Sequence, residues 1–126
     1  MTDSLETSRL RLRPWAEGDA DLLARLAADP LVIRYIGTGQ PWPADRVQDV
    51  SRMVTDHWRE HGFGWRVAMA KDSAEPTGFV MLNYLGEGTV GLDPREFEVG
   101  WWLLPGRWAH GLATEAARAT CDEAFT

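Results

Sequence analysis

The sequence predicts an α/β (α+β) chain in which a mostly antiparallel sheet is flanked by helices. Three observations predict it. Arg9–Arg13 alternates strictly, with Leu10 and Leu12 on one side and three arginines on the other, as a half-buried strand does. Trp65–Ala70 and Thr77–Tyr84 are two further strand-like runs joined by the turn-forming Lys71–Pro76, which reads as an antiparallel hairpin. Two early segments and one late one instead carry apolar residues at helical spacing.

Pro14 ends the first strand, because proline cannot donate to a ladder. Asp19 is a candidate N-cap for a helix whose stripe is Ala20, Leu22, Leu23, Leu26 and Ala27, stopping near Asp29-Pro30. Leu31–Ile36 is short and apolar and could form another helical turn. The glycines and prolines of Gly37–Pro43 mark a loop. Ala44–His61 follows as a long helix, with Val47, Val50, Val54, Trp58 and His61 facing the core. His57 and His61 are four apart, a metal-ligand spacing, but with no Glu in register and no third ligand nearby no metal site is expected. After the hairpin, Gly86–Arg95 reads as a loop and Phe97–Leu104 as a fourth strand. Gly111–Phe125 is the last helix, with Ala113, Ala116, Ala117, Thr120, Cys121 and Ala124 on one face.

The bulk numbers narrow the function. At 126 residues the chain is a single domain, 1–126. A net charge of −6 argues against nucleic acid, which needs a basic face, and mildly favours cationic partners through steering. Cys121 is the one cysteine, so no internal disulfide forms, and it reads as a buried thiol. No apolar run approaches a membrane span, and the first residues lack a signal-peptide pattern, so a cytoplasmic location is expected.

Chemistry concentrates between Phe97 and Ala116. A strand runs into Trp108-Ala-His-Gly-Leu-Ala113, a tight turn of small residues that opens a helix. The first amides of a helix lack partners within it and sit at its positive end, so a pyrophosphate would satisfy them. A plain strand-to-helix connection packed with small residues would look the same.

Resemblance separates the two. Glu98-Val-Gly-Trp-Trp-Leu103, Pro105 and Trp108-Ala-His-Gly-Leu-Ala-Thr-Glu-Ala116 resemble the pyrophosphate loop and preceding strand of the GNAT N-acetyltransferases. They are most similar to the branch that acetylates ribosomal-protein N-termini and related amines. Leu5–Pro14 is similar to that branch's opening strand. Two departures are Trp108, where Gln or Arg is usual, and Ala109, for a frequent glycine. Neither removes a backbone amide.

The resemblance implies the GNAT-type sheet and direct acyl transfer from acetyl-CoA to an amine, either a small molecule or a protein N-terminus. It implies that the backbone of Trp102, Leu103 and Leu104 pairs with pantetheine, and that the amides of Ala109, His110, Gly111, Leu112, Ala113 and Thr114 hold the pyrophosphate. His110 could add a side-chain contact or be an ordinary loop histidine. Glu98 is the candidate general base, acting through water, or else a structural carboxylate. Glu115, in the first helical turn, complements the helix dipole. Trp42 could line the acceptor pocket or simply pack. In the family a further strand, a helix and a hairpin follow, with a tyrosine acid; the sequence stops at Thr126, and neither Tyr35 nor Tyr84 stands in the acid's place. The resemblance therefore implies an incomplete domain lacking the C-terminal strands. Its strand Phe97–Leu104 would have an open edge for a partner such as a second copy. Two other readings remain: a non-catalytic acyl-CoA-binding or interaction module, and another phosphate binder, which would want a Lys-Ser/Thr after the loop where Leu112-Ala-Thr stands.

Overall fold

A computed structural model describes residues 3–34, 38–84, 97–107 and 111–124. Its elements run β1 (Leu5–Glu6), β2 (Leu10–Pro14), α1 (Ala20–Ala28), α2 (Pro30–Ile33), α3 (Ala44–His61), β3 (Arg66–Ala70), β4 (Pro76–Tyr84), β5 (Phe97–Leu103) and α4 (Leu112–Ala124). The five strands lie in sequence order, and every neighbouring pair is antiparallel. The expected mixed architecture is present. The two-residue strand β1 is an addition, since a pair of residues is too short to show a period of two.

Each face of the sheet carries its own core. On one face Val67, Phe79 and Met81 pack with Trp15, Leu22, Leu23, Leu26, Val47, Val54 and Trp65, under α1 and α3. On the other, Leu10, Leu12, Ala68, Val80 and Leu103 meet Leu112 and Ala116 of α4. The central strand β3 is therefore covered on both sides, and even Arg66 is fully buried. Its Nε donates to the Asp3 carbonyl at 2.9 Å, and its guanidinium lies 5.5 Å from the Trp58 ring centroid. Desolvation by burial lowers its pKa, against the pull of Glu123 and Asp3.

Local signals act largely as read. Asp29 ends α1 and starts α2, its carboxylate accepting from the Leu31 amide at 2.9 Å with Pro30 in the first helical position. Asp19 precedes α1 as expected but does not cap it with its side chain. Its carboxylate instead accepts the Ala16 amide and a paired contact from Arg13 at 2.7 and 2.8 Å. On α4 the buried residues are Leu112, Ala116 and Thr120, spaced by four, and Cys121 is only half-buried, so the expected buried thiol is corrected.

Between β3 and β4 the register shifts after Ala68, which pairs with Gly78, while Met69 pairs with Pro76. Thr77 is the extra residue of this bulge. It is buried and donates its hydroxyl to the Ala68 carbonyl at 2.8 Å. Gly78 is required here: a Cβ would stand 2.0 Å from the Trp102 carbonyl oxygen, so β5 lies against bare backbone.

Candidate active site

The alternation of β5 sorts its residues. Leu103 is buried in the α4-side core, whereas Trp102 is half-buried against the α1/α3-side core. With no register break along the β4–β5 ladder, Glu98 and Gly100 share the Trp102 face. Glu98 is exposed there, and Gly100, without a side chain, leaves a notch between it and Trp102. Opposite them on β4 stand Asn83, Met81 and Phe79, in register with Glu98, Gly100 and Trp102.

Trp42 reaches this face from the loop before α3. Its amide donates to the Ala27 carbonyl at 3.1 Å, and its ring meets that of Trp102 edge-on, with centroids 5.1 Å apart. The Arg46 guanidinium lies 4.3 Å from the Trp42 centroid. The structure thus brings Trp42, Trp102 and Glu98 to one face although nearly sixty residues separate them in the chain.

The edge of β5 has a fixed sense. The Leu104 amide donates inward to the Thr77 carbonyl at 2.8 Å. Antiparallel alternation then turns the Trp102 backbone inward as well and that of Trp101 and Leu103 outward. Of the three residues expected to pair with pantetheine, Leu103 is the one whose backbone faces the outer edge. Among the described residues no strand adjoins that edge, and the Trp101 side chain beside it is 50% exposed.

A turn of 3₁₀ helix at Pro105–Arg107 follows. Of the expected phosphate loop, Trp108, Ala109 and His110 lie outside the described residues. Gly111 has φ +74°, the left-handed region open to glycine, and its carbonyl accepts the first bond of α4, from the Glu115 amide at 3.1 Å. The amides of Leu112, Ala113 and Thr114 precede that bond, so the ladder of α4 does not engage them. Thr114 is exposed, Ala113 half-buried and Leu112 buried. A cleft of about 340 Å³ adjoins this junction, and Arg9, Lys71, Gly106 and Leu112 help to line it.

Glu115 does more than complement a dipole. Its carboxylate accepts from the Thr7 hydroxyl, from the Arg9 amide at 2.9 Å and from Arg9 Nε at 2.9 Å. Burial alone would raise its pKa; the Thr7 and Arg9 donors outweigh that and lower it. The first turn of α4 is thereby tied to the β1–β2 connection. Two of the three arginines that alternate with Leu10 and Leu12 are committed to carboxylates, Arg9 to Glu115 and Arg13 to Asp19.

Sequence reasoning assigned no role to two residues at the other end of this face. The Trp65 indole donates from Nε1 to Asn83 Oδ1 at 3.0 Å. His57 Nδ1 lies 2.8 Å from the Phe63 carbonyl, and His57 Nε2 accepts the Tyr84 amide at 3.0 Å. Both ring nitrogens are thus engaged by backbone. A signal for Asn83 was present: Phe79 and Met81 share its face, so a polar residue falls where the alternation calls for an apolar one.

Comparison with known proteins agrees with this fold. Residues 9–126 match the acetyltransferase (GNAT) domain family. The uncharacterized N-acetyltransferase p20 of Bacillus licheniformis is 27% identical over 124 residues, 98% of this chain and 67% of that protein. An acetyltransferase structure from Agrobacterium tumefaciens superposes with a TM-score of 0.78 at 30% identity, covering 99% of this chain and 68% of the other. A GNAT-family acetyltransferase from Bacillus anthracis gives 0.71 at 22% identity, covering 97% and 66%. No helix among the described residues is long and apolar enough to cross a membrane. On the extent of the family match, this chain belongs to the GNAT acetyltransferase domain family.

Proposed function

We propose that the chain transfers an acetyl group from acetyl-CoA to a primary amine, by direct attack of the amine on the thioester. The observation that carries this reading is the junction at Gly111. A left-handed glycine opens α4, with the amides of Leu112, Ala113 and Thr114 outside the helix ladder and the outer edge of β5 leading up to it. Membership of the family supplies the donor, and the relative named an N-acetyltransferase supports nitrogen as the acceptor.

In this reading the amides from Ala109 to Thr114 hold the diphosphate, and the Leu103 backbone meets pantetheine as a neighbouring strand would. Glu98 takes the proton from the ammonium through water. Its place supports the role: it is exposed, on the same face as Trp102 and two residues beyond the Gly100 notch. General-base catalysis of this kind contributes about 10²–10⁴-fold. Trp42 and Trp102 form an aromatic wall for the acceptor. The motif Glu98–Leu103 with Trp108–Ala116 favours a protein N-terminus, as in the ribosomal-protein branch, with a small amine as the other acceptor class. A second copy could cover the β5 edge.

The test has two stages. Calorimetry with acetyl-CoA should give saturable binding that Gly111→Val abolishes. Thiol release should then be followed with peptides and small amines as acceptors. Absence of acetyl-CoA binding removes the whole reading, whereas binding without turnover of any amine removes only the acceptor and base assignments.

A further inference from the structure

We infer that Asn83 is a specificity-determining residue, presenting a fixed N–H donor to an oxygen of the acceptor next to its amine. The inference rests on the reading of Glu98 as the residue that meets the ammonium.

The orientation of the Asn83 carboxamide follows from its partner. An indole N–H can only donate, so the atom 3.0 Å from Trp65 Nε1 must be the carbonyl oxygen, Oδ1. The amide cannot flip without confronting two donors. Trp65 in turn is held: its ring is buried, and its carbonyl accepts the Trp58 indole at 2.8 Å and the Trp15 amide at 3.0 Å. With the oxygen engaged, the NH₂ of Asn83 is the end left for other partners. Asn83 is half-buried, on the face shared by Glu98, Gly100 and Trp102.

Asn83 is directly opposite Glu98 across the β4–β5 ladder. Residues opposed in this way have Cβ atoms about 4.5–5.5 Å apart, so a carboxylate and a carboxamide donor stand side by side. An α-amino amide, the chemistry of a peptide N-terminus, carries an ammonium and a carbonyl oxygen separated by two carbons. That spacing suits a contact of the carbonyl oxygen to Asn83 and of the ammonium to Glu98 or the water it holds. A plain alkylamine satisfies only Glu98, and a polyamine offers no oxygen to Asn83. The class selected is therefore an amine with an adjacent carbonyl.

Titration of the ¹⁵N-labelled full chain with glycinamide and with propylamine, which has the same ammonium and no oxygen, tests this without requiring turnover. The expected result is that glycinamide binds about five-fold more tightly, the worth of one neutral hydrogen bond, and shifts the Asn83 Nδ2 resonances. Asn83→Asp keeps an acceptor for the Trp65 indole, hence the fold, but removes the donor. It should abolish the preference for glycinamide and tighten propylamine. Trp65→Phe, which lets the carboxamide turn, should reduce the preference partway. Equal affinity for the two amines in the native chain, including no detectable binding of either, overturns the inference, as does a preference that survives Asn83→Asp. Glu98→Gln should weaken both amines alike. If it weakens neither while the Asn83-dependent preference persists, the role of Glu98 fails and the specificity role of Asn83 stands.

Discussion

Protonating His57 should loosen the end of the sheet that carries the candidate site. Strand β4 outruns β3: the ladder ends at Arg66 opposite Val80, and the Leu82 amide reaches back only to Gly64 at 3.4 Å. Beyond it, among the described residues, no strand faces the Tyr84 amide, and the His57 ring supplies the acceptor. A carbonyl can only accept and an amide can only donate, so the ring is the neutral tautomer with its proton on Nδ1. A second proton on Nε2 would point at the Tyr84 N–H. Burial of the ring and the neighbouring His61 lower the His57 pKa, and the Phe63 carbonyl and Glu60 oppose them only in part. A folded pKa below the unfolded value of about 6.5 means the bridge contributes fully above that pH and is lost as pH falls through the folded pKa.

The size follows from the two bonds. Each neutral hydrogen bond is worth about 1 kcal/mol net, so His57→Phe, which keeps a ring and removes both, should cost about 2 kcal/mol at pH 8. At this chain length that is a fall in Tm of about 6–10 °C. Thermal unfolding followed by tryptophan fluorescence at pH 8 and pH 5 would read it. The gap between native chain and variant should narrow at pH 5, below the unfolded pKa, because there protonation of His57 favours the unfolded chain over the folded one. Contributions from His61, Glu60, Asp56 and Tyr84 are common to both proteins and largely cancel in the difference. A gap unchanged between the two pH values would refute the tautomer argument.

Four further outcomes are expected. Gly111→Ala should cost about 1 kcal/mol from the left-handed backbone alone, because its Cβ would meet Arg9 Nη2 at an ordinary 3.5 Å. Calorimetry of the same variant should show weaker acetyl-CoA binding. Gly78→Ala should cost several times more, since its Cβ has no room against the Trp102 carbonyl; urea unfolding should show a loss of more than about 3 kcal/mol, or no folded protein. Glu115→Gln should lower stability by about 1–2 kcal/mol at neutral pH, after discounting for the half-exposed Arg9. That difference should vanish on acidification, because the lowered Glu115 pKa places its contribution above the ordinary carboxylate range. Glu98→Gln should reduce acetyl transfer by about 10²–10⁴-fold in a thiol-release assay with little change in thermal stability, the carboxylate being exposed.

How far the sequence could be read depended on whether a signal was periodic or pairwise. The alternation of Leu10 and Leu12, and the stripe Leu22, Leu23, Leu26 and Ala27, report burial directly, and those elements appear within a residue or two of their expected bounds. What periodicity does not carry is partnership across the chain. Glu115 sits where a dipole complement belongs, and nothing local says that Thr7 and Arg9 converge on it. Asp19 occupies a capping position, but Arg13 is the stronger partner because a guanidinium offers two donors to its two oxygens. Arg66 alternates with apolar neighbours as though it faced solvent. It is buried where the N-terminal segment at Asp3 and Trp58 of α3 close over the end of β3, a fact of topology rather than of strand pattern. The motif around Gly111 was legible by resemblance, while the company kept by Glu98 needed the β4–β5 register.

That register also explains why one strand can serve both substrates. The donor, in the proposed function, is met through the β5 backbone at its outer edge, and the acceptor through β5 side chains on the Trp102 face. These directions are perpendicular in any strand, so neither demand constrains the other. What must hold is the position of β5 against β4, and the fold fixes it at both ends. At one end Gly78 lets the Trp102 carbonyl lie against bare backbone and the Leu104 amide reach Thr77. At the other, His57 holds Tyr84, which pairs with Phe97 one step beyond Asn83 and Glu98. Residues remote from the chemistry should therefore alter donor and acceptor affinity together when they disturb either clamp, whereas Asn83 and Glu98 should alter the acceptor alone. Paired titrations of acetyl-CoA and an amine across Gly78→Ala, His57→Phe and Asn83→Asp would separate the two classes. A clamp variant that changed acceptor binding without changing acetyl-CoA binding would contradict the assignment of both substrates to one strand.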